Sequence, residues 1–329
     1  MSGGERQPHQ PEVSVIVPSH GRLLRLRWLL NALEEQTIER ERFEVVVVHD
    51  YDSAGAAAMI DGHPLAAAGV VRSVRIAPEN ARAARQRNLG WRAARAPAIA
   101  FVDDDCRPEP DWLAELLAVV RTRPEAMLQG TVRPDPLEGE VFARPLVRTL
   151  RVQPPDPRAQ TANFLYPRAL LEAVAGFDEA LLVGEDMELC LRCRDAGAPF
   201  VAAPRAIVNH AIEAFSLSGW ARVHRKWQDL PLMFKAQPRL RRYHPLGIFW
   251  TWRHMRAWTA LAGLLAGPAR REALLLGLPY LVLDVLTRRG SRPKGLLISL
   301  SEGPRVIAGD VVEIQAFARG SIHHRSVVL

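Results

Sequence analysis

The chain is poor in cysteine: Cys106, Cys190 and Cys193 are the three in 329 residues. So odd and sparse a set offers no disulfide framework and suits a reducing compartment, the cytoplasm. Cys190-Leu-Arg-Cys193 has the spacing of half a zinc site, but no second Cys or His pair stands at ligand spacing, which argues against structural zinc. No Gly-x-Gly-x-x-Gly opens a helix after a strand, and no Gly-x-x-x-x-Gly-Lys occurs. A dinucleotide cofactor and a P-loop nucleotide site are therefore not expected. Long apolar runs are missing too. Residues 257–267 and 273–283 are apolar, but each is 11 residues long and Arg270-Arg271-Glu272 lies between them. A spanning helix needs about 20. The first dozen residues are polar and Pro-containing, without the apolar centre of a signal peptide, and read as a disordered tail. Lysine is scarce, since 40 of the 43 basic residues are arginine.

What is present suits a globular chain with room for one large domain or two small ones, at 48% hydrophobic and 24% charged. The formal charge of +7 is unevenly spread. Residues 1–214 hold 25 Lys and Arg against 30 Asp and Glu, a net of −5. Residues 215–329 hold 18 against 6, a net of +12. The basicity belongs to the C-terminal third and calls for its own explanation.

In the first 214 residues, β-branched runs alternate with helical spacing. Val13-Ser-Val-Ile-Val-Pro18 is a buried strand, and Leu23, Leu26, Leu29, Leu30 and Leu33 follow at helical spacing. Residues 43–48 form a second strand, ending in His49-Asp50-Tyr51-Asp52-Ser53, and residues 70–76 a third. The Arg-rich stretch from Asn80 to Ala94 reads as a helix, leading into Ala98-Ile-Ala-Phe-Val102 and then Asp103-Asp104-Asp105. Such alternation implies a mostly parallel α/β sheet, where ligands gather beyond the carboxyl ends of the strands. Residues 18–22, 50–53 and 103–105 all fall at such ends.

Three adjacent carboxylates repel one another unless a cation or a hydrogen-bond network holds them. A hard divalent ion, Mg²⁺ or Mn²⁺, is the natural partner and usually bridges carboxylates to a substrate's phosphates. An acidic loop capping the next helix, from Trp112, is the alternative. Arg82, Arg85 and Arg87 lie just upstream and are candidates to hold substrate phosphates, unless they only line a solvated helix face. Further on, Glu185 and Asp186 open a helix through Leu189 and Arg192, where helix-dipole preference alone would place carboxylates. The strand from Phe200 ends in His210, structural unless it lies near the triplet, where it becomes a candidate metal ligand.

Four blocks, in order, make the chain from about Val13 to His210 resemble the glycosyltransferase family 2 enzymes, which have the GT-A fold. They are Val17-Pro-Ser-His-Gly-Arg22, the helix with Arg87-Asn88-Leu-Gly90, Phe101-Val-Asp-Asp-Asp105, and Gly176-Phe-Asp-Glu179 followed by Glu185-Asp186-x-Glu-Leu-x-x-Arg192. The resemblance implies a GT-A (Rossmann-like), mostly parallel sheet with flanking helices over residues 13–214. It implies a nucleotide-sugar donor, a divalent metal and inversion at the anomeric carbon. By position, Pro18, Ser19 and Arg22, with Asp50 or Asp52, would line the nucleoside pocket. Asp103, Asp104 and Asp105 would form the metal and donor site, with Arg87 beside it, Asp105 nearest the metal and His210 a further metal contact. Asp186 would be the general base, with Glu185 next to it, and Asn163 and Asp178 would lie on the acceptor side. The family usually shows Asp-Asp-Gly-Ser or Asp-Asn-Gly-Ser where this chain has Asp50-Tyr-Asp-Ser, so either aspartate could reach the nucleoside.

Residues 215–329 read as a separate, mainly helical region. Trp220, Trp227, Trp250, Trp252 and Trp258 stand among arginines, a combination seen in interfacial membrane segments. Peripheral attachment to an anionic inner membrane surface, near a lipid-linked acceptor, is one reading. A soluble helical subdomain over the acceptor site or at a dimer interface is another. Nucleic acid is not expected, because no nucleic-acid motif accompanies the charge. The expected activity is sugar transfer to a glycan or lipid-linked acceptor, as in polysaccharide or glycolipid assembly. A nucleotidyltransferase on a similar sheet and an inactive membrane-associated scaffold are the alternatives.

Overall fold

The structure, a computed structural model, describes residues 10–329. Of the tail expected over residues 1–12, residues 1–9 lie outside the described part. Glu12 is anchored, its N–H donating to Arg42 O at 2.8 Å and its carboxylate meeting Arg42 Nε at 2.5 Å. The chain divides into two compact units. One comprises the residues up to Gly139, Thr149–Ala180 and Gly184–Ile212. The other comprises Glu140–Arg148, Leu181–Val183 and Glu213–Leu329.

The first unit is built on β1 (Val13–Ser19), β2 (Phe43–His49), β3 (Val71–Arg75), β4 (Ala98–Phe101), β5 (Cys106–Pro108), β6 (Met127–Pro134), β8 (Phe164–Pro167) and β9 (Phe200–His210). The short β7 (Val147–Arg148) and β10 (Glu213–Ala214) pair with each other in the second unit. The eight strands of the first unit form one sheet in the order β3-β2-β1-β4-β8-β6-β9-β5. β3, β2, β1 and β4 run parallel, as does β9 beside β6. β8 is antiparallel to β4 and β6, and β5 to β9. This is the expected mostly parallel, GT-A-like sheet, with two antiparallel strands that the alternation of strands and helices did not reveal. Every residue of β1 and β2 is buried, as in strands covered on both faces, and the one buried carboxylate, Glu44, is matched by Ser14 and Arg95. Val13, Val15 and Val17 pack with the leucines of helix Leu23–Glu34 on one face. Ile16, Val46 and Val48 pack with Ala84, Trp91 and Phe177 on the other.

Close approach fixes where the arginine helix, Ala83–Ala93, lies. A β-carbon on Gly90 would stand 2.3 Å from Ile16 Cγ2 and 3.2 Å from Val48 Cγ2. Both neighbours are β-branched and buried in the sheet, so neither can yield. Gly90→Ala is therefore expected to cost about 1–3 kcal/mol of stability and to displace Arg87, one turn earlier. Urea unfolding checks this. An unchanged midpoint would mean that the helix has slack at this crossing.

The pairing of β6 with β9 breaks between Gly130 and Thr131, whose partners jump from Ala203 to Ile207. Such bulges re-aim the side chains that follow. The amide of Asn163, fully buried, staples the break. Its Nδ2 donates to Thr131 O and Ala206 O, both at 2.9 Å, and its Oδ1 accepts from Trp112 Nε1 at 2.8 Å. A β-carbon on residue 130 would stand 2.2 Å from that Nδ2, so only glycine leaves room.

The second unit is mainly helical, as expected. Helix Trp252–Ala266 folds back on an irregular helical stretch, residues 271–286, and a long helix, Pro293–His324, follows. The tryptophans depart from the expectation of an interfacial belt. Trp220 is buried and stacks on His224 at 4.0 Å, while Trp227 meets Trp250 at 5.5 Å and Phe317 at 6.0 Å. These rings form the core of the helical unit, and of the five only Trp252 is strongly exposed. Core charges are matched: Glu313 accepts from His254 at 3.0 Å, and Asp310 holds Arg253 and the Tyr280 hydroxyl.

Candidate active site

Strand register positions the acidic triplet. Phe101 pairs with Ile16. Three residues further along the two strands come Asp104 and Ser19, and Ser19 Oγ donates to Asp104 Oδ2 at 2.7 Å. The N–H of His20 reaches the same oxygen at 3.3 Å. Arg22 Nη1 donates to Asp104 Oδ1 at 3.3 Å and also to Asp105 Oδ2. Tyr51 closes this corner, its hydroxyl 2.8 Å from Ser19 Oγ and accepting from Arg22 N at 3.0 Å. Burial, with the charge of Asp105 added, pushes Asp104 up to about 7. Burial also works on Asp103, but Arg87, His210 and Arg22 outweigh it and hold that carboxyl below its ordinary value.

The donor set for a cation lies on the other side of Asp105. Its Oδ1 is buried without a hydrogen-bond partner and sits 3.6 Å from His210 Nε2. Cross-strand pairing explains the meeting, because Cys106 of β5 faces His210 of β9 and Ala211 N donates to Asp105 O at 2.9 Å. An orphaned carboxylate oxygen beside an imidazole suits Mn²⁺ or Mg²⁺. Cys106 is the third group of this cluster. Its thiol is turned 3.9 Å from Ala162 O, and burial pushes its pKa far up, so it stays protonated and is a poor ligand.

Opposite stands the helix Glu185–Asp195. Gly184 enters it at φ 81°, a left-handed turn natural to glycine, which sets Glu185 and Asp186 in its first turn. One buried guanidinium ties the two sides together. Arg87 Nη2 donates to Asp103 Oδ1 at 3.0 Å, while Nη1 donates to Glu185 Oε1 at 2.9 Å and Asp186 Oδ1 at 3.3 Å. Thr161 orients Asp186 through its hydroxyl at 2.8 Å and its N–H at 3.1 Å. Burial raises the Asp186 carboxyl against the pull of Arg87, and burial with the Asp186 charge brings Glu185 to about 7.

Two further side chains lock the helices in place. Asn88 donates to Phe177 O and accepts from Phe177 N, both at 2.9 Å. Arg192 pairs with Glu188 at 2.7 Å and donates to Gly176 O at 2.7 Å. The sequence blocks around Asn88, Gly176 and Arg192 thus carry positioning.

Several expected roles change. Arg87 is spent on carboxylates, because three of them surround it, and so it does not present itself to a diphosphate. Asn163 does not line an acceptor channel, since the β-bulge uses both its N–H groups. Asp178 is exposed, caps Ala180 N at 2.9 Å and makes no contact with the cluster. Ser19 and Arg22 bind the triplet, and Pro18 is buried in β1 opposite Val48. Asp50 is buried and sits 2.5 Å from His20 Nδ1, whereas Asp52 is exposed. Thr161, Tyr51 and His20 were not singled out from sequence. Thr161 lies two residues from Asn163, in a segment whose proximity to the site was legible but whose contacting side chain was not.

Residues 14–172 match the model of Glycosyl transferase family 2. A pre-mycofactocin glycosyltransferase of Mycobacterium tuberculosis is 28% identical over 218 residues, which cover 62% of this chain and 43% of that protein, so the chain spans less than half of that relative. Glycosyltransferase AglE of Haloferax volcanii is 25% identical over 62% of this chain and 68% of its own. Among solved structures, mannosyltransferase PcManGT from Pyrobaculum calidifontis, in complex with GDP-Man and Mn²⁺, superposes with a TM-score of 0.56. It is 19% identical, with 94% of this chain and 87% of that one covered, a likeness of fold. With the acidic triplet, the arginine helix and the Glu185-Asp186 helix assembled as described, residues 14–172 form a glycosyl transferase family 2 domain.

Proposed function

We propose that the chain transfers a sugar from a nucleotide-sugar donor to a hydroxyl of a glycan or lipid-linked acceptor, by direct displacement with inversion at the anomeric carbon. One observation carries this reading: Arg87 joins Asp103, in the acidic triplet, to Asp186, so the two walls needed for displacement face one another. A divalent cation held by Asp105 and His210 would stabilise the charge of the diphosphate leaving group. The PcManGT complex with GDP-Man and Mn²⁺ supports that donor class and that ion. Asp186 accepts the acceptor's proton as the hydroxyl attacks from the opposite face. Its partly buried setting raises its basicity, and Thr161 fixes its direction. Glu185 shares the Arg87 cation and adjusts the charge beside the base. Asp50, with His20, stands on the nucleoside side. Residues 13–214 carry the chemistry, and residues 215–329 serve the acceptor or membrane side. The acceptor belongs to a surface polysaccharide or glycolipid, reached from the inner, cytoplasmic face of the membrane. No helix among the described residues is long and apolar enough to cross a membrane.

Incubation with a panel of sugar nucleotides, reading free nucleoside diphosphate, tests the proposal. Release from one donor, abolished by EDTA and restored by Mn²⁺ or Mg²⁺, is the expected result. Pyrophosphate release would make the chain a nucleotidyltransferase, and no release from any donor would make it a scaffold. Full release in EDTA would remove the metal from the site.

A further inference from the structure

The helical unit carries its leucines on the outside. Leu264 and Leu265 are 64% and 74% exposed, Leu275 62%, Leu283 57%, Leu297 70% and Leu300 62%. The segments bearing them are neighbours. A β-carbon on Gly267 would stand 2.7 Å from Leu274 Cδ2, one on Gly263 2.4 Å from Ala273 O, and one on Gly303 3.1 Å from Val285 Cγ1. The unit's buried side chains lie elsewhere, among them Trp220, Phe317, Ala257, Tyr280 and Val285. An apolar patch this extensive on a water-facing surface marks a binding face.

Charge decides the partner. Arg270, Arg271, Arg288, Arg292 and Lys294 are exposed in or between the same segments, and none makes an ion pair among the described residues. Arg289, by contrast, is spent on Glu302 and on the carbonyls of Phe142, Ala143 and Arg144. Between residues 264 and 300 the one exposed acid is Glu272. A second copy docked here would bring like charges face to face across a two-fold. An anionic bilayer instead takes leucines into its acyl boundary and arginines among its headgroups.

We infer that residues 252–286, with the first turns of helix Pro293–His324, seat shallowly in an anionic lipid surface, their leucines roughly 5–10 Å into the headgroup boundary. This rests on the membrane-side reading above and not on the chemistry of transfer.

Flotation of the full chain with phosphatidylcholine vesicles, with and without phosphatidylglycerol, tests it. Binding is expected with phosphatidylglycerol, to be weak without it, and to fall as salt rises. Leu275→Glu with Leu297→Glu, both at exposed positions, should lower the bound fraction about tenfold or more. Arg270→Glu with Arg271→Glu should do the same, and both pairs should leave nucleoside diphosphate release to a water-soluble acceptor intact. Wild-type chain that binds neither vesicle overturns the inference, as does a leucine variant that floats like wild type. A wild-type dimer made monomeric by the leucine pair, without vesicle binding, would assign the face to self-association and overturn it too. Vesicle binding without sugar transfer would sink the proposed reaction and leave this inference standing.

Discussion

Asp186→Asn is expected to keep the nucleotide donor bound and to lose between about 10² and 10⁴ in turnover. The asparagine retains shape and can still bond to Thr161, but it cannot take a proton. On the proposed reading, donor binding depends on the opposite wall, around Asp103, Asp105 and His210, to which Asp186 is joined only through Arg87. Stopped transfer with intact donor affinity is therefore the signature. The pH profile adds a second. Burial holds Asp186 above the ordinary carboxylate range, and its neighbour Glu185 reaches about 7. The working form is the deprotonated one, so wild-type kcat/KM should climb as pH rises through that region. The asparagine variant should lose the climb along with the rate. Near wild-type turnover in Asp186→Asn would remove this residue from the reaction.

Arg87→Leu is expected to cost about 3–5 kcal/mol of stability as well as activity. The guanidinium is buried among Asp103, Glu185 and Asp186, and burial disfavours its charge less than these three carboxylates favour it. Removing the cation leaves three carboxylates facing one another in a poorly solvated place. Urea unfolding reads the first effect and nucleoside diphosphate release the second. Arg87→Lys should recover only part of either, because an ammonium is a point charge and cannot span two walls as a planar fork does. A leucine variant as stable as wild type would show that the carboxylates settle their charge without help.

The parallel half of the sheet was legible because valine and isoleucine dominate β1 and β2, and β-branched runs with so few polar breaks mean cover on both faces. The ends of those strands meet at the candidate site, and Asp105 lies beside His210. Side-chain partners were less legible. Arg22, Arg87 and Ser19 were read as facing a ligand, since a sequence shows that a cation is near a triplet but not which carboxylates claim it. The tryptophans misled for a related reason. Aromatic residues beside arginines describe a membrane belt and a helical core equally well, and only the packing of Trp220 on His224 tells them apart. Exposed leucines, ordinary in the sequence, carry the surface signal instead.

If Asp105 and His210 hold a cation as proposed, Asn163 shows how far from the chemistry its control can lie. It touches no ligand position, yet it staples the offset in β9 from which the strand runs on to His210. The imidazole's aim is thus inherited from a seam several residues upstream, and on the proposed reading a loosened seam would be felt first as weaker metal affinity in a protein still folded. The proposed cation site would then depend on the interior of the sheet, on a glycine and an amide that no inventory of ligands would include.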